Sequence, residues 1–465
     1  MISPAPPLPP ELSLTRLASF CAETTFKPDE ALISLIGMAL IDTVGCFLSG
    51  ANQQVSIMAQ KAFSDLGPAT APVFGTTIRT EPSKAALLNA VAGHAVEFDD
   101  WEMVGNTHPS NVLFASILAA AGDRPVSGKA VMDAYLAGFE VIARLGEAIN
   151  FEHYDQGWHA TGTLGAIGAA ASISRLWGLN AEQTANALSI ATSRAIALTS
   201  QFGSDTKPLQ AGFAAETGIV AARLAAQGLT GQPDILDAPK GFFALTGHRD
   251  TARHAAAMEK LGTMPALEEH GLVFKLYPSC GYSHRLIDCA VELFNGGTVN
   301  PDDIDKITLH LPTLHAAVVP FIQPENRPQA LFSLPFCVSV ALTSGDVMLA
   351  DFDSERWRDP AIRALIGKTE IVPFKPQRPE LNYAPQDPDR LDVLLGDGTT
   401  HTATVVYPKG SPPNPASEQR LIEKFKQNAA LGSRLQEPEM TEALGRFLAW
   451  PSADDVIGCL IAFHK

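Results

Sequence analysis

Three segments of the sequence each place a basic side chain next to a predicted helix start. His108 precedes Pro109, His159 precedes a run of small residues, and Lys207 precedes Pro208. Proline is tolerated at the first helical position because its missing N–H group has no partner there. A helix N-terminus attracts anions through its free N–H groups and its dipole. The three segments together therefore predict a site for a small anion with several carboxylates.

An acidic cluster follows the predicted helix that carries His94. It comprises Glu97, Asp99 and Asp100, and negative charge at a helix C-terminus opposes the helix dipole. The cluster is therefore unfavourable unless cations or a ligand offset it, which indicates a functional role, with a solvated helix end as an equal alternative. Metal binding by these carboxylates with His94 and His108 is an alternative. No recognised ligand spacing supports it, and we predict no metal.

Carboxylates, imidazoles and lysines without a glycine-rich nucleotide loop suit proton transfer beside a carboxylate. The carbanion or enediolate that forms there needs cationic stabilisation, which Lys207 and Lys275 could supply. An imidazole near a helix N-terminus has a lowered pKa and can act as a neutral base at pH 7. Cys280 is a candidate nucleophile, but we favour a buried thiol there.

Composition bounds the class of protein. The 465 residues are 46% hydrophobic and 18% charged, enough to bury a large core, and the formal net charge is −16. This charge argues against nucleic acid and against an anionic membrane as partners. The Pro-rich start lacks the pattern of a secretory signal, and no segment reaches the roughly 18 unbroken apolar residues of a membrane span. Six cysteines without a C-x-x-C pair are expected to be reduced, and we predict a cytoplasmic protein.

The elements that must position these side chains are mostly helical over the first 260 residues, where Ala, Leu, Ile and Gly recur at helical spacing. The abundance of Gly and Ala predicts helices that approach one another closely. The predicted helices of this part are 85–98, 112–121, 129–150, 164–174, 181–198 and 211–227.

The pattern changes near residue 265. Segments 304–311, 391–395 and 402–407 are typical of strands, and the glycines at 396 and 398 predict a hairpin between the last two. Helices are predicted at 283–294, 331–342 and 360–366, and again after residue 416. We predict a mainly α fold: a large all-helical domain, 1–265 and 410–465, with a smaller α+β domain, 266–409, inserted before the C-terminal helices.

A set of short segments resembles the MmgE/PrpD family. They occur in order along most of the chain: Val73-Phe74-Gly75-Thr76, residues 85–90, residues 94–100, His108-Pro109-Ser110, residues 157–161, Lys207-Pro208-Leu209, and residues 274–278 leading into His284. The resemblance implies a large helical domain built from both chain ends, an inserted α+β domain, a cleft between them, a homodimer and no organic cofactor.

The resemblance also implies site residues. Proton transfer is assigned to His108 and His159, with Asp99 or Asp100 orienting them and Tyr154 as a further acid. Lys207 is also assigned to the catalytic set, where it stabilises developing charge. The remaining predicted substrate contacts are Lys275, Glu97, His284 and Thr161.

The family includes 2-methylcitrate dehydratase, cis-aconitate decarboxylase and iminodisuccinate epimerase. Three departures from the family pattern favour the epimerase: Glu97 in place of Asp, a longer loop beginning at Trp101, and Phe336 where a Tyr can occur. We therefore predict a cofactor-independent isomerase that moves a proton on the carbon next to a carboxylate. A dehydratase or decarboxylase of the family is the first alternative, and a non-catalytic polycarboxylate-binding protein is the second.

Overall fold

The computed structural model describes residues 11–63, 67, 69–122, 124–247, 249–433 and 435–464. Most of the Pro-rich start, on which the prediction of no secretory signal depends, lies outside the described residues. The predicted fold class is confirmed. Helices dominate, and a single four-stranded sheet lies in the middle of the chain in the described part.

The described part of the first 270 residues contains thirteen α-helices and one short hairpin of two-residue strands. The helices are α1 (Ser13–Glu23), α2 (Glu30–Gly50), α3 (Gln54–Phe63), α4 (Pro82–Ala95), α5 (Pro109–Ala121), α6 (Gly128–Ile149), α7 (Glu152–Asp155), α8 (Ala160–Leu176), α9 (Ala181–Thr192), α10 (Thr206–Ala226), α11 (Phe242–Leu245), α12 (Thr251–Glu259) and α13 (Ala266–His270). The hairpin is β1 (Ala71–Pro72) and β2 (Arg79–Thr80).

Small residues let α8 pack closely between α6 and α10. A Cβ atom added to Gly168 of α8 would lie 2.4 Å from Cγ1 of Ile142 in α6. A Cβ atom added to Gly218 of α10 would lie 2.4 Å from that of Ala169 in α8. Neither position has room for a methyl group, so the predicted close approach of these helices is confirmed.

The middle of the chain holds the sheet and the helices that cover it. The strands are β3 (Ile304–Pro312), β4 (Thr369–Phe374), β5 (Asp389–Leu395) and β6 (Thr400–Val405). The helices are α14 (His284–Asn295), α15 (Thr313–Val318), α16 (Arg327–Ala330), α17 (Leu334–Ser344), α18 (Leu349–Asp353) and α19 (Pro360–Gly367). The strand order is β4-β3-β5-β6, with β3 parallel to β4 and the other pairs antiparallel.

The predicted hairpin is confirmed, because Leu394 of β5 pairs with Thr400 of β6. The sequence analysis missed β4. This strand lies at the sheet edge, is only partly buried, and contains Pro373, all of which weaken the sequence signal of a strand.

The last helices are α20 (Glu418–Gly432), α21 (Glu437–Leu448) and α22 (Val456–Leu460). Short 3₁₀ turns complete the described elements at Thr199–Gln201, Gly281–Ser283, Pro301–Asp303, Arg356–Arg358, Trp450–Ser452 and Ile461–His464. Helix α20 packs on α2, and the Lys424 ammonium lies 2.6 Å from Oδ1 of Asp42. The C-terminal helices thus return to the N-terminal ones, while the proposed domain limits stay a prediction.

Helix α2 is long and apolar enough to cross a membrane by length and composition, contrary to our expectation that no segment would be. Most of it is buried, and it packs against α4 and α20. A buried core helix passes the same test, so this finding does not indicate a membrane span. That no membrane is a partner stays a prediction.

Candidate active site

A cavity with about 360 Å³ of empty space, part of it open to solvent, lies where residues of the first helical part meet the 280–332 segment. Its polar or ionisable lining residues are Glu97, Asn106, His108, Tyr154, Lys207 and Cys280. The remaining lining residues are Trp101, Phe202, Gly281, Tyr282 and Phe332. Four of the predicted site residues therefore border one cavity: Glu97, His108, Tyr154 and Lys207.

Helix starts position two of the three basic residues as predicted. His108 is the residue before α5, and His159 is the residue before α8. Lys207 differs, because α10 begins at Thr206 and Lys207 is its second residue. Pro208 is therefore not the first helical residue, although it still lies in the first turn, where its missing N–H costs no helical hydrogen bond.

Glu97 links the two predicted lysines. Its backbone is left-handed, with φ 52°, a conformation that is uncommon for a residue with a side chain. The Lys207 ammonium donates to Oε2, and the Lys275 ammonium donates to Oε1 over 2.9 Å. Burial alone raises the pKa of Glu97, but the two ammonium groups outweigh burial and lower it, so the carboxylate is ionised.

The two lysines differ in acidity. Burial lowers the pKa of Lys207, and the attraction of Glu97 only partly offsets this effect. Lys275 is also buried, but the attraction of Glu97 and then of Asp99 outweighs burial and raises its pKa. Of the two, only Lys207 lines the cavity. Lys207 is therefore the more acidic ammonium and the one within reach of a ligand.

His94 lies behind Lys207 and was considered only as a metal ligand in the sequence analysis. Its Nδ1 lies 2.7 Å from Oδ2 of Asp99, and its Nε2 lies 2.8 Å from the Lys207 ammonium. Since the ammonium donates, Nε2 accepts, and Nδ1 carries the proton bound by Asp99. The predicted orienting role of Asp99 is thus directed at His94. The sequence signal that could have predicted this contact is the position of His94 about one helical turn before the paired acids.

His108 is held in one tautomer. Its Nε2 lies 3.2 Å from the Lys275 ammonium, and its Nδ1 lies 2.8 Å from Oγ1 of Thr161. Because Lys275 donates, Nε2 accepts and Nδ1–H donates to Thr161. Burial and the nearby Lys275 charge lower the pKa of His108 well below its usual range, so the ring is neutral. Thr161, predicted to bind substrate, does not line the cavity and instead orients His108.

His159 keeps one nitrogen unused. Its Nδ1 lies 2.6 Å from Oε1 of Gln210, whose Nε2 donates to the carbonyl of Leu198, so Nδ1 of His159 carries the proton. Its Nε2 is buried and has no partner among the described residues. Burial and the Lys207 charge lower its pKa well below the usual range. His159 thus offers a neutral ring with a free lone pair, although it does not itself line the cavity.

Three further candidates have raised pKa values. Burial raises the pKa of Asp100 well above its ordinary value, and its contact is the backbone N–H of Ser110 at 3.4 Å, away from the cavity lining. Burial also raises the pKa of Tyr154, whose ring borders the cavity. Burial and the charge of Glu97 raise the pKa of Cys280 to about 11, which agrees with our choice of an unreactive thiol.

Two residues do not lie where the sequence analysis put them. His284 is buried at the start of α14, where its Nε2 lies 3.4 Å from the carbonyl of Ser279, and it does not line the cavity. Phe336 is a buried residue of α17 that packs against Phe352 and Trp357. Phe336 therefore does not bear on the chemistry, and one of the three departures that favoured an epimerase has no effect on the cavity.

Three imidazoles lie close enough to suggest a metal site. One nitrogen each of His94, His108 and His159 can be chosen so that all lie within 4.8 Å of one another. The Lys207 and Lys275 ammonium groups, however, donate to the Nε2 atoms of His94 and His108. A divalent cation would have to displace both groups, so the donor set fits ammonium–imidazole hydrogen bonds better than metal ligation.

Comparison with known proteins identifies the family. Residues 15–254 match the MmgE/PrpD N-terminal domain, and residues 277–445 match the MmgE/PrpD C-terminal domain. The chain belongs to the MmgE/PrpD family.

Relatives in this family carry enzyme names. Cis-aconitate decarboxylase of Mus musculus is 28% identical, covering 81% of this chain and 80% of the relative. The Homo sapiens enzyme of the same name is 29% identical, covering 84% and 82%. The 2-methylcitrate dehydratase of Cupriavidus necator is 26% identical and covers 84% of each chain. These names support an enzymatic role for the MmgE/PrpD chain described here.

The prediction of an iminodisuccinate epimerase is wrong. The relatives found are named as decarboxylases and dehydratases, which are lyases and not isomerases. The departures at Glu97 and Trp101 were read as changes of reaction. Glu97 accepts hydrogen bonds from both lysines, so its extra methylene does not remove the lysine–carboxylate contact. The homodimer and the cytoplasmic location stay predictions.

Proposed function

We propose that this chain is a carboxy-lyase that releases carbon dioxide from a small unsaturated tricarboxylate of the cis-aconitate type. The observation that carries the proposal is Lys207, a buried ammonium of lowered pKa that borders the cavity between two aromatic rings. Its Nζ lies 5.4 Å from the centre of the Phe202 ring and 5.1 Å from that of Phe332. The names of the decarboxylase relatives support the same reaction.

The reaction needs one proton donor. When the carboxylate on the saturated carbon of cis-aconitate leaves as carbon dioxide, the electrons of the broken C–C bond form a new double bond. The electrons of the old double bond then take a proton at its far carbon. Lys207 donates this proton, because its lowered pKa makes it a stronger acid than an ordinary lysine. Solvent returns the proton to the neutral amine after the product leaves.

The walls of the cavity favour loss of charge. Phe202 and Phe332 pack 5.2 Å apart, ring centre to ring centre, and both border the cavity. A carboxylate against these rings loses water contacts, whereas carbon dioxide is neutral and needs none. The two rings therefore favour loss of a carboxylate as carbon dioxide close to Lys207, whose ammonium lies beside both of them.

Dehydration is the second candidate, and the free Nε2 of His159 favours it. A dehydratase must remove a proton from the carbon next to a carboxylate, and this nitrogen is a buried lone pair without a partner among the described residues. Lys207 would then protonate the leaving hydroxyl as water. The named 2-methylcitrate dehydratase relatives support this candidate.

The test is turnover of cis-aconitate and of 2-methylcitrate by the purified chain in D₂O, followed by NMR and by carbon dioxide release. We expect one carbon dioxide per cis-aconitate consumed and one deuterium in the product, at the former alkene carbon. Loss of water from 2-methylcitrate without carbon dioxide would replace the proposal with the second candidate. No turnover of either compound would contradict both.

A further inference from the structure

Two N–H donors bordering the cavity have no hydrogen-bond partner among the described residues. They are Nε1 of Trp101 and Nδ2 of Asn106, and each residue is only 5% exposed. A buried donor without an acceptor is unfavourable, so a native structure that keeps two of them in one cavity needs a reason.

The Trp101 indole is held firmly in place. Its backbone exchanges two hydrogen bonds with Val273, at 3.0 and 2.8 Å, and its ring meets Tyr282 and Tyr383 edge-on. Its Nε1 lies against Gly281, where an added Cβ atom would be 2.9 Å away. Gly281 also borders the cavity, so the absence of its side chain leaves the indole N–H beside the open space.

The Asn106 amide is also fixed, and its orientation follows from its neighbours. Asn382 donates from Nδ2 to the Met103 carbonyl over 2.6 Å and to Oδ1 of Asn106 over 2.8 Å. The Met103 carbonyl can only accept, which sets the Asn382 amide this way round, and the Tyr282 hydroxyl then donates to Oδ1 of Asn382 over 2.7 Å. Oδ1 of Asn106 therefore accepts, and its NH₂ group is unused. The Asn106 backbone is left-handed, with φ 56°.

We propose that Trp101 Nε1 and Asn106 Nδ2 form an uncharged carboxylate subsite, which receives one carboxylate of a tricarboxylate while Lys207 meets another. The inference rests on the proposed function for the class of substrate. Glu97 already takes one hydrogen bond from each of the two lysines, so little cationic charge is left for a trianion. Neutral N–H donors bind an additional carboxylate, and the ligand satisfies the two donors that the protein leaves open.

The test is calorimetric binding of two saturated acids that cannot react, tricarballylate with three carboxylates and glutarate with two. Trp101→Phe removes one donor and keeps an aromatic ring, and Asn106→Asp keeps the acceptor but replaces NH₂ with an oxygen that repels anions. The matched control is Trp357→Phe, which removes a buried indole N–H that has no partner in the described part of the chain and lies outside the cavity lining. We expect each cavity variant to bind tricarballylate about tenfold more weakly. Glutarate binding should be little changed in Trp101→Phe and weakened less than that of tricarballylate in Asn106→Asp, and the control should bind both acids as wild type does.

Unchanged binding of tricarballylate by both cavity variants would overturn the subsite. Equal losses for both acids would also overturn it, because they would indicate a disturbed cavity. Trp101→Phe keeps the assay decisive if Asn106→Asp does not fold. If the expected binding pattern appears while cis-aconitate is not decarboxylated, the subsite is supported and the proposed reaction is wrong. If cis-aconitate is decarboxylated but the binding pattern is absent, the proposed reaction is supported and the subsite is wrong.

Discussion

Among the described residues, two of the clusters that contain buried charge differ in their relation to the cavity: the cavity cluster borders it, and the Arg144 cluster does not. The cavity cluster comprises Glu97, Lys207, Lys275, His94 and Asp99. The Arg144 cluster joins helices α6 and α13 and the end of α12, and comprises Arg144, Glu140, Glu147, Glu269, Lys260 and His270.

The Arg144 cluster satisfies its central charge. Arg144 donates to Glu140, Glu147 and Glu269 over 2.8 to 2.9 Å and to a backbone carbonyl over 3.0 Å. Burial disfavours the charged forms, yet the partners raise the pKa of Arg144 and lower that of Glu269 to about 2. Both of these shifts favour the charged state, whereas burial raises the pKa of Glu140.

The cavity cluster leaves one cation under-compensated. A single carboxylate, Glu97, serves two lysines, and the pKa of Lys207 is lowered. The protein thus holds Lys207 in a state from which a proton leaves more readily. Buried charge alone therefore does not indicate an active site, whereas unbalanced buried charge beside a cavity does.

The largest expected effect is the loss of activity in Lys207→Met. Removing the proton donor should lower kcat for the lyase reaction by about 10³-fold or more, within the range for general acids. The free energy of unfolding should change little, for two reasons. The pKa of Lys207 is lowered in the folded chain, so its positive charge opposes folding at neutral pH. Glu97 also retains its ion pair with Lys275 when Lys207 is removed. Turnover assays and thermal unfolding of the same samples check both points.

The control for this variant is Lys84→Met. Lys84 also pairs with a glutamate, Glu216, but it lies outside the cavity lining. It should keep wild-type turnover. Full activity in Lys207→Met would show that Lys207 is not a catalytic residue. The cavity cluster and the Arg144 cluster would then no longer differ in function.

Arg144→Met should show the opposite pattern. Deleting Arg144 leaves Glu140 buried without its cation, which costs about 3–5 kcal/mol for a buried pair. The free energy of unfolding in urea should fall by this amount, while kcat per folded molecule should stay near the wild-type value. A stable but inactive variant would show that the Arg144 cluster acts on the chemistry and that the two clusters are not separate.

Sequence reasoning found most charged members of the cavity cluster but not the hydrogen bonds between them. Lys207 and His94 are 113 positions apart, so no local pattern predicts their hydrogen bond. Phe336 and Phe332 are four residues apart, yet only Phe332 precedes α17 and borders the cavity. Which of two nearby aromatic side chains faces a ligand depends on where the helix begins, and the sequence analysis began this helix at residue 331 instead of Leu334.

Acid should weaken the Arg144 cluster through Glu269. Its pKa in the folded chain is about 2, because hydrogen bonds from Lys260 and Arg144 outweigh burial, against about 4.3 when unfolded. A carboxyl group whose pKa is lower in the folded chain than in the unfolded chain stabilises the fold. This contribution is fully present above about pH 5 and is lost as the pH falls towards 2. Urea unfolding from pH 6 to pH 2 should show a smaller acid loss in Arg144→Met than in wild type; equal slopes would contradict this origin.

The smallest effect is expected for Lys260→Met, which separates burial from ion pairing within one cluster. Lys260 lies 2.8 Å from Glu147 and 2.6 Å from Glu269, two carboxylates that Arg144 also binds. Its side chain is 43% exposed, however, whereas that of Arg144 is 0% exposed. Water replaces an exposed ammonium easily, so the free energy of unfolding should fall by less than about 1 kcal/mol. A loss as large as that of Arg144→Met would mean that the number of ion pairs, and not the burial of the cation, stabilises this cluster.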